Sequence, residues 1–229
     1  MKIASIQQKK VKRNQSATVC VLTEEGDSFE LLYETLVKFG IYDGSDLDEK
    51  KWNRIQLWDS TRRATTDALR WLSLRPRSRE EISNRLRREG YNDETITSVL
   101  EKLSEEKYID DLDFAMRFAQ SRLRKKAMGE RALAYELNKK GIAPDLIRQV
   151  IQKFVPENDL PSVLRLAEKK YATIRESDQR KKQIKLSAFL QQRGFDTDTI
   201  RKVVETIASH EKIISRDQNP LIPSNFKKH

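Results

Sequence analysis

The chain has 229 residues, enough for one elongated domain or two small ones, and it is polar for a globular protein: 37% hydrophobic side chains against 35% charged, with 7% aromatic. Its formal net charge of +10 arises wholly after Trp58, because residues 1–58 balance nine Lys/Arg with nine Asp/Glu; an excess of this size favours a polyanionic partner, nucleic acid or an acidic protein. The single cysteine, Cys20, excludes a disulfide framework or a thiolate metal site within one chain, and no stretch approaches the ~18 apolar residues of a membrane span. These features predict a cytoplasmic monomer with no membrane association.

In chain order, residues 17–22 and 28–32 are short apolar-rich runs around Glu24-Glu25-Gly26-Asp27, a hairpin signal. Leu36, Val37 and Phe39 then fall on a short helical segment that Gly40 can end in the left-handed conformation, and Asp43-Gly44 marks another turn. From about Asp46 onward, helical patterning dominates.

A threefold repeat follows, anchored on Gly90, Gly141 and Gly194, which stand 51 and 53 residues apart. Four residues before each glycine is Leu86, Leu137 or Leu190, and eight before it is Ile82, Leu133 or Leu186. After the glycines come Tyr91, Ile142 and Phe195, and then Ile96, Val99, Leu100, Leu103 and their counterparts at i, i+3, i+4, i+7 spacing. A helix closed by a Schellman motif needs a residue at positive φ just past its end and an apolar contact beside it, and each glycine with its flanking residues supplies both. Ser78 with Glu81 reads as a capping box, Pro144 suits a first helical turn, and Asp196 can cap the last helix.

A further helix precedes each pair, carrying Ala68, Leu69, Trp71 and Leu72, then Phe114, Ala115, Phe118 and Ala119, then Leu164, Ala167 and Tyr171. The expected fold is therefore mostly α: three tandem three-helix repeats in a curved, elongated array, with a small β-containing N-terminal region. The boundaries are 1–57 for that region, 58–108, 109–156 and 157–212 for the repeats, and 213–229 for a tail that Pro220 and Pro223 keep extended. Each repeat alone has a small core, so stacked neighbours are expected to complete it.

The segment LSEEKYIDDLDFAMRFAQSR from Leu103, followed by Gly129, Glu136-Leu137 and Lys140-Gly141-Ile142, resembles the central repeat of the RecX family. ALRWLSLRPRSREEISNRL from Ala68 is similar to the family's opening helices, and QQRGFDTDTI from Gln191 to its arginine-glycine-phenylalanine turn. ETLVKFGIYDGSDLD from Glu34 resembles an N-terminal extension found in some members; Trp71 with Leu74 and Arg75 departs from the pattern of the first helix. The resemblance covers residues 61 to 207. It implies a protein that binds RecA protein and RecA-DNA filaments and inhibits the recombinase, ATPase and co-protease activities of RecA, without metal or cofactor.

Catalysis finds little support in the residues themselves. The only histidines are His210 and His229, no nucleophilic triad is visible, and neither GxxxxGK[ST] nor GxGxxG occurs to cradle nucleotide phosphates. Asp110, Asp111 and Asp113 could in principle hold Mg²⁺ as in a nuclease, but they stand where a helix should begin, and capping with dipole compensation explains carboxylates there.

The basic residues fall into three clusters, and the candidate partner-binding set is drawn from them: Arg85, Arg87 and Arg88; Arg122, Arg124, Lys125, Lys126 and Arg131; Arg180, Lys181 and Lys182. In the second cluster, backbone amides at the helix start near Gly129 are expected to add to the attraction for anions. Phe114, Phe118, Tyr171 and Phe195 occupy packing positions rather than a base-stacking platform. A general non-catalytic DNA-binding repeat protein that competes with RecA for DNA is the alternative reading.

Overall fold

The structure, a computed structural model, describes residues 1–8, 17–125, 127–154 and 160–217, the side chains of 211–217 excepted. It divides into two compact units, residues 1–110 and 111–229.

The first unit opens with an antiparallel three-stranded sheet in the order β1-β2-β3, formed by β1 (Ile3–Gln8), β2 (Thr18–Thr23) and β3 (Ser28–Leu32). The β2–β3 hairpin turns where the sequence indicated, with Gly26 at φ 94° and the Asp27 N–H donating to Thr23 Oγ1 at 3.0 Å. Strand β1 was not anticipated. A register shift between Ile3 and Ser5 interrupts the two-residue alternation that would have marked it. Val19, Val21 and Leu31 face Leu36, Ile41, Leu47 and Ile55, giving the sheet its own small core.

Helix α1 (Tyr33–Phe39) ends at Gly40, φ 60°, as the sequence predicted. Helix α2 (Glu49–Leu74) begins at Asp48, whose carboxylate accepts the Lys51 N–H at 2.6 Å, and runs 26 residues without a break, so that one helix belongs both to the N-terminal region and to the first repeat. Their joint is Asp59, only 4% exposed. It accepts the Leu32 N–H at 2.7 Å and the Thr35 hydroxyl, and pairs with Arg63 Nε at 2.7 Å, while Arg63 Nη2 donates to the Glu30 carbonyl at 3.1 Å. A buried carboxylate is tolerable only when so fully partnered.

The three three-helix repeats follow: α2 with α3 (Arg79–Arg88) and α4 (Asp93–Glu105); α5 (Asp111–Lys125), α6 (Glu130–Asn138) and α7 (Pro144–Phe154); α8 (Leu160–Thr173), α9 (Gln179–Gln192) and α10 (Thr197–Asp217). Each surrounds a separate cluster of buried side chains, led by Trp71, Ile82, Leu86 and Leu103 in the first, Ala115, Leu133, Leu137 and Val150 in the second, and Leu186, Leu190 and Val203 in the third. Trp71 is 1% exposed and fills the first core. Phe114, Tyr171 and Phe195 are buried, and Phe118 is half-buried against Phe114. Helix α10 continues to Asp217 because nothing from 197 to 217 is Gly or Pro; Pro220 and Pro223 lie outside the described residues.

The glycine turns have the full Schellman geometry. Gly90, Gly141 and Gly194 have φ of 90°, 73° and 79°. Tyr91, Ile142 and Phe195 donate their N–H to the carbonyls of Leu86, Leu137 and Leu190 at 3.2, 3.2 and 3.3 Å, and the glycine N–H groups reach Arg87, Asn138 and Gln191 at 3.1, 2.8 and 2.9 Å. Both bonds of the motif are thus present three times. Helix α4 closes in the same way without a glycine: Lys107 takes φ 61°, and the Tyr108 N–H donates to Leu103 at 2.9 Å. Helix starts are capped by Ser78, Asn92 and Asp196, each accepting the N–H three residues on. The Asp196 carboxyl is held below the usual range chiefly by the Thr199 hydroxyl.

Because side chains pay about 1–2 kcal/mol in the left-handed region, Gly141→Ala should lower stability by about that amount, and Gly141→Val by more, since branching at Cβ narrows the allowed space further. Chemical denaturation of the two variants beside the parent checks the ranking. Equal stability of the two variants would contradict the turn.

Candidate nucleic-acid interface

Some of the candidate basic residues are engaged by an ion pair or an aromatic ring of the fold, and others stand exposed at helix ends. Arg85 lies with its guanidinium 4.3 Å from the Trp71 ring, covering the first core, and Arg87 pairs with Asp93 at 3.1 Å. Arg88 is exposed. In the second repeat, Arg122 Nε pairs with Glu136 at 2.7 Å and its guanidinium lies 5.1 Å from the Phe118 ring, whereas Arg124 and Lys125, the last residues of α5, are exposed, as is Arg131 in the first turn of α6. Lys126 lies outside the described residues. In the third repeat, Arg180 and Lys181 are exposed in the first turn of α9, and Lys182 lies 3.9 Å over the Tyr171 ring.

Helix starts do not strengthen these clusters as expected. The amides of Arg180 and Lys181 donate to Asp178 Oδ1 at 2.8 and 3.3 Å. At α6, where anion-seeking amides were expected, Gly129 supplies no capping side chain and two of the amides are taken within the fold: the Gly129 N–H donates to the Arg193 carbonyl at 2.8 Å and the Arg131 N–H to the Gly194 carbonyl at 3.2 Å. The Schellman turn that ends α9 therefore caps α6, and orphan donors of one helix meet orphan acceptors of another. The second and third repeats meet here through backbone, not by merging their cores. What remains on the candidate surface is side-chain charge.

One basic site was not singled out from the sequence. A cavity of about 400 Å³ is lined by Lys170, Arg175, Lys185, Ile174, Ala188, Phe189 and Gln192. Lys185 pairs there with Glu176 at 2.8 Å, and that hydrogen bond holds the Glu176 carboxyl below its usual range. The three cations lie in the basic run from 165 to 185, but only the helical turn between α8 and α9 brings them to one cavity. Asp111 and Asp113 stand in the first turn of α5, where Asp113 pairs with Arg117 at 2.7 Å; among the described residues no group of three or more His, Cys, Asp or Glu is disposed to hold a metal ion.

Three family models match in chain order: the first three-helix domain of RecX over residues 64–103, the second over 110–151 and the third over 157–204. The chain belongs to the RecX family. It is 37% identical over 150 residues to the regulatory protein RecX of Prosthecochloris aestuarii, covering 66% of this chain and 97% of that one. It is 30% identical over 228 residues to the regulatory protein RecX of Listeria monocytogenes serotype 4b, covering 100% of this chain and 83% of that one. Among solved structures, the crystal structure of a regulatory protein RecX has the same fold with a TM-score of 0.68 at 24% identity, over 89% of this chain and 98% of that one. RecX from Lactobacillus salivarius gives a TM-score of 0.60 at 23% identity over 66% of this chain. As a RecX family member the chain is a regulatory protein, and no helix among its described residues is long and apolar enough to cross a membrane.

The contact between repeats two and three has a direct test. A Cβ on Gly129 would sit 2.3 Å from the Gly194 carbonyl oxygen, although Gly129 has an ordinary φ of −83°, so a loss of stability in Gly129→Ala reports the clash and not backbone strain. Overpacking of this kind costs about 1–3 kcal/mol. Urea denaturation should show a loss in that range, and a variant as stable as the parent would mean that the two turns do not touch.

Proposed function

We propose that this RecX family protein binds RecA filaments on DNA and restrains the recombinase, ATPase and co-protease activities of RecA, acting as a non-catalytic monomer in the cytoplasm. The observation that carries the reading is the stretch 114–129, which holds five Lys/Arg and no Asp/Glu and presents Arg124 and Lys125 to solvent at the end of α5. Cations at a helix C-terminus offset its dipole, but two consecutive exposed cations with no acid among their sequence neighbours also form a contact for phosphate or an acidic surface. Arg88, Arg131, Arg180 and Lys181 extend the set of exposed cations to all three repeats. Arg85, Arg87, Arg122 and Lys182, already engaged within the fold, have the smaller part.

Membership of a family of regulatory proteins supports a regulatory role, and the cations on the surface fit a polyanionic filament as the partner. Charge complementarity governs encounter rate and specificity more than raw affinity. The alternative reading, a general DNA binder that competes with RecA, rests on the same cations. It requires excess protein, whereas filament control acts at substoichiometric amounts, so titrating the chain into RecA ATPase on single-stranded DNA separates the two.

Reversing Arg124 and Lys125 to Glu should relieve inhibition of RecA while leaving helix content and melting temperature nearly unchanged, because exposed sites tolerate such changes within about 0.5 kcal/mol. Lys227→Ala with Lys228→Ala serves as the control and should matter far less. Inhibition at parental strength by the reversed variant, at physiological salt, would remove this turn from the contact surface.

Direct DNA binding should be salt-steep and indifferent to sequence, since it depends on Lys and Arg meeting phosphates. Fluorescence titrations across salt concentrations and oligonucleotide sequences check this. A flat salt dependence contradicts the charge argument.

A further inference from the structure

The residue before the turn glycine differs among the repeats: Glu89, Lys140 and Arg193. The third, Arg193, reaches across to the second repeat. The Arg193 carbonyl accepts the Gly129 N–H at 2.8 Å, and its guanidinium Nη1 donates to the Ala127 carbonyl at 3.2 Å. One residue thus grips both ends of the segment 127–129 that leads away from the basic end of α5. The guanidinium is held for this by Phe189, whose ring centroid is 4.9 Å from Cζ. Approach this close is possible because both sides are glycine: a Cβ on Gly194 would lie 2.2 Å from the Ala132 nitrogen, and one on Gly129 2.3 Å from the Gly194 oxygen.

We infer that Arg193 is a positioning residue for the basic turn: by clamping Ala127 and Gly129 it holds the segment that follows α5, and with it the last turn of α5 that carries Arg124 and Lys125, and so makes polyanion binding by the second repeat depend on the third. This rests on the reading of Arg124 and Lys125 as contacts. Arginine suits the task because a planar fork can stack on a ring and donate to a carbonyl at the same time, which an ammonium does not reproduce. Cations held in one direction lose less freedom on meeting phosphates than cations on a loose segment.

A double-mutant cycle tests the inference. Arg193→Gln is compared in the parent chain and in an Arg124→Ala/Lys125→Ala background, reading the protein concentration that half-inhibits RecA ATPase on single-stranded DNA. Residues that act as one unit are non-additive, so Arg193→Gln should raise the midpoint about fivefold in the parent and less than about twofold in the Ala background. Hydrogen exchange should show faster exchange at residues 127–131 with Leu133 and Leu137 unchanged. Phe189→Leu, which removes the platform and keeps the guanidinium, should give the same pattern at smaller amplitude, and covers the case in which Arg193→Gln folds poorly.

An equal shift in both backgrounds would overturn the inference, since Arg193 would then act on its own, as a phosphate contact or through general stability. No shift in the parent would overturn it as well. Should the Arg124→Ala/Lys125→Ala chain itself inhibit like the parent, the reading of the turn as a contact falls and the inference with it, while the exchange data still report whether the clamp exists.

Discussion

A helix ends badly in a small protein unless its last carbonyls find donors, and in this fold the solution is a single residue turned into the left-handed region. At Gly90, Gly141 and Gly194 that conformation lets two backbone N–H groups fold back onto the helix and drops Tyr91, Ile142 or Phe195 beside the leucine four residues before the glycine. The chain then re-enters a helix within a few residues, so the second and third helices of each repeat pack on the same cluster. Without the positive φ the third helix would leave in another direction and Ile142 or Phe195 would not be buried. Closure and core are one constraint seen from two sides.

The same turn acquires a second use in the third repeat. Its carbonyls at Arg193 and Gly194 project toward the start of α6, where Gly129 has no side chain to satisfy its own helix, and each end supplies what the other lacks. Backbone bonds of this kind, with glycine on both sides and no room for a Cβ, fix two repeats more firmly than surface ion pairs, whose worth is small in water. The N-terminal sheet is joined to its helix by a different device, the buried Asp59, whose three partner groups, the Leu32 N–H, the Thr35 hydroxyl and the Arg63 guanidinium, offset the cost of its burial.

Charge on the surface is less uniform than its total suggests. Part of the excess is spent inside the fold, with Arg85 over Trp71, Arg122 on Glu136 and Phe118, and Lys182 over Tyr171. Long cationic side chains cover apolar rings while keeping their heads wet, so such residues serve packing first. Among the candidates, Arg87, Arg88, Arg122, Arg124, Lys125, Arg131, Arg180 and Lys181 are exposed, and of these Arg87 and Arg122 are held in ion pairs with Asp93 and Glu136. The cavity of Lys170, Arg175 and Lys185 adds to this set.

The sequence by itself determined the helical repeats, their glycine closures, the β2–β3 hairpin and the caps at Ser78 and Asp196, because each is written in local spacing: apolar residues at helical intervals, glycine where φ must be positive, a short polar side chain before a helix. It did not determine strand β1, whose alternation is broken at Ile3 and Ser5, nor the turn at Lys107, where a residue with a Cβ adopts the glycine conformation. Only the tertiary structure decided which cations face solvent and that the start of α6 is capped by residues more than sixty positions away. Local pattern records what a segment needs, a cap or a partner for its charge; which distant group meets that need depends on how the chain returns, and spacing along the sequence carries no trace of it.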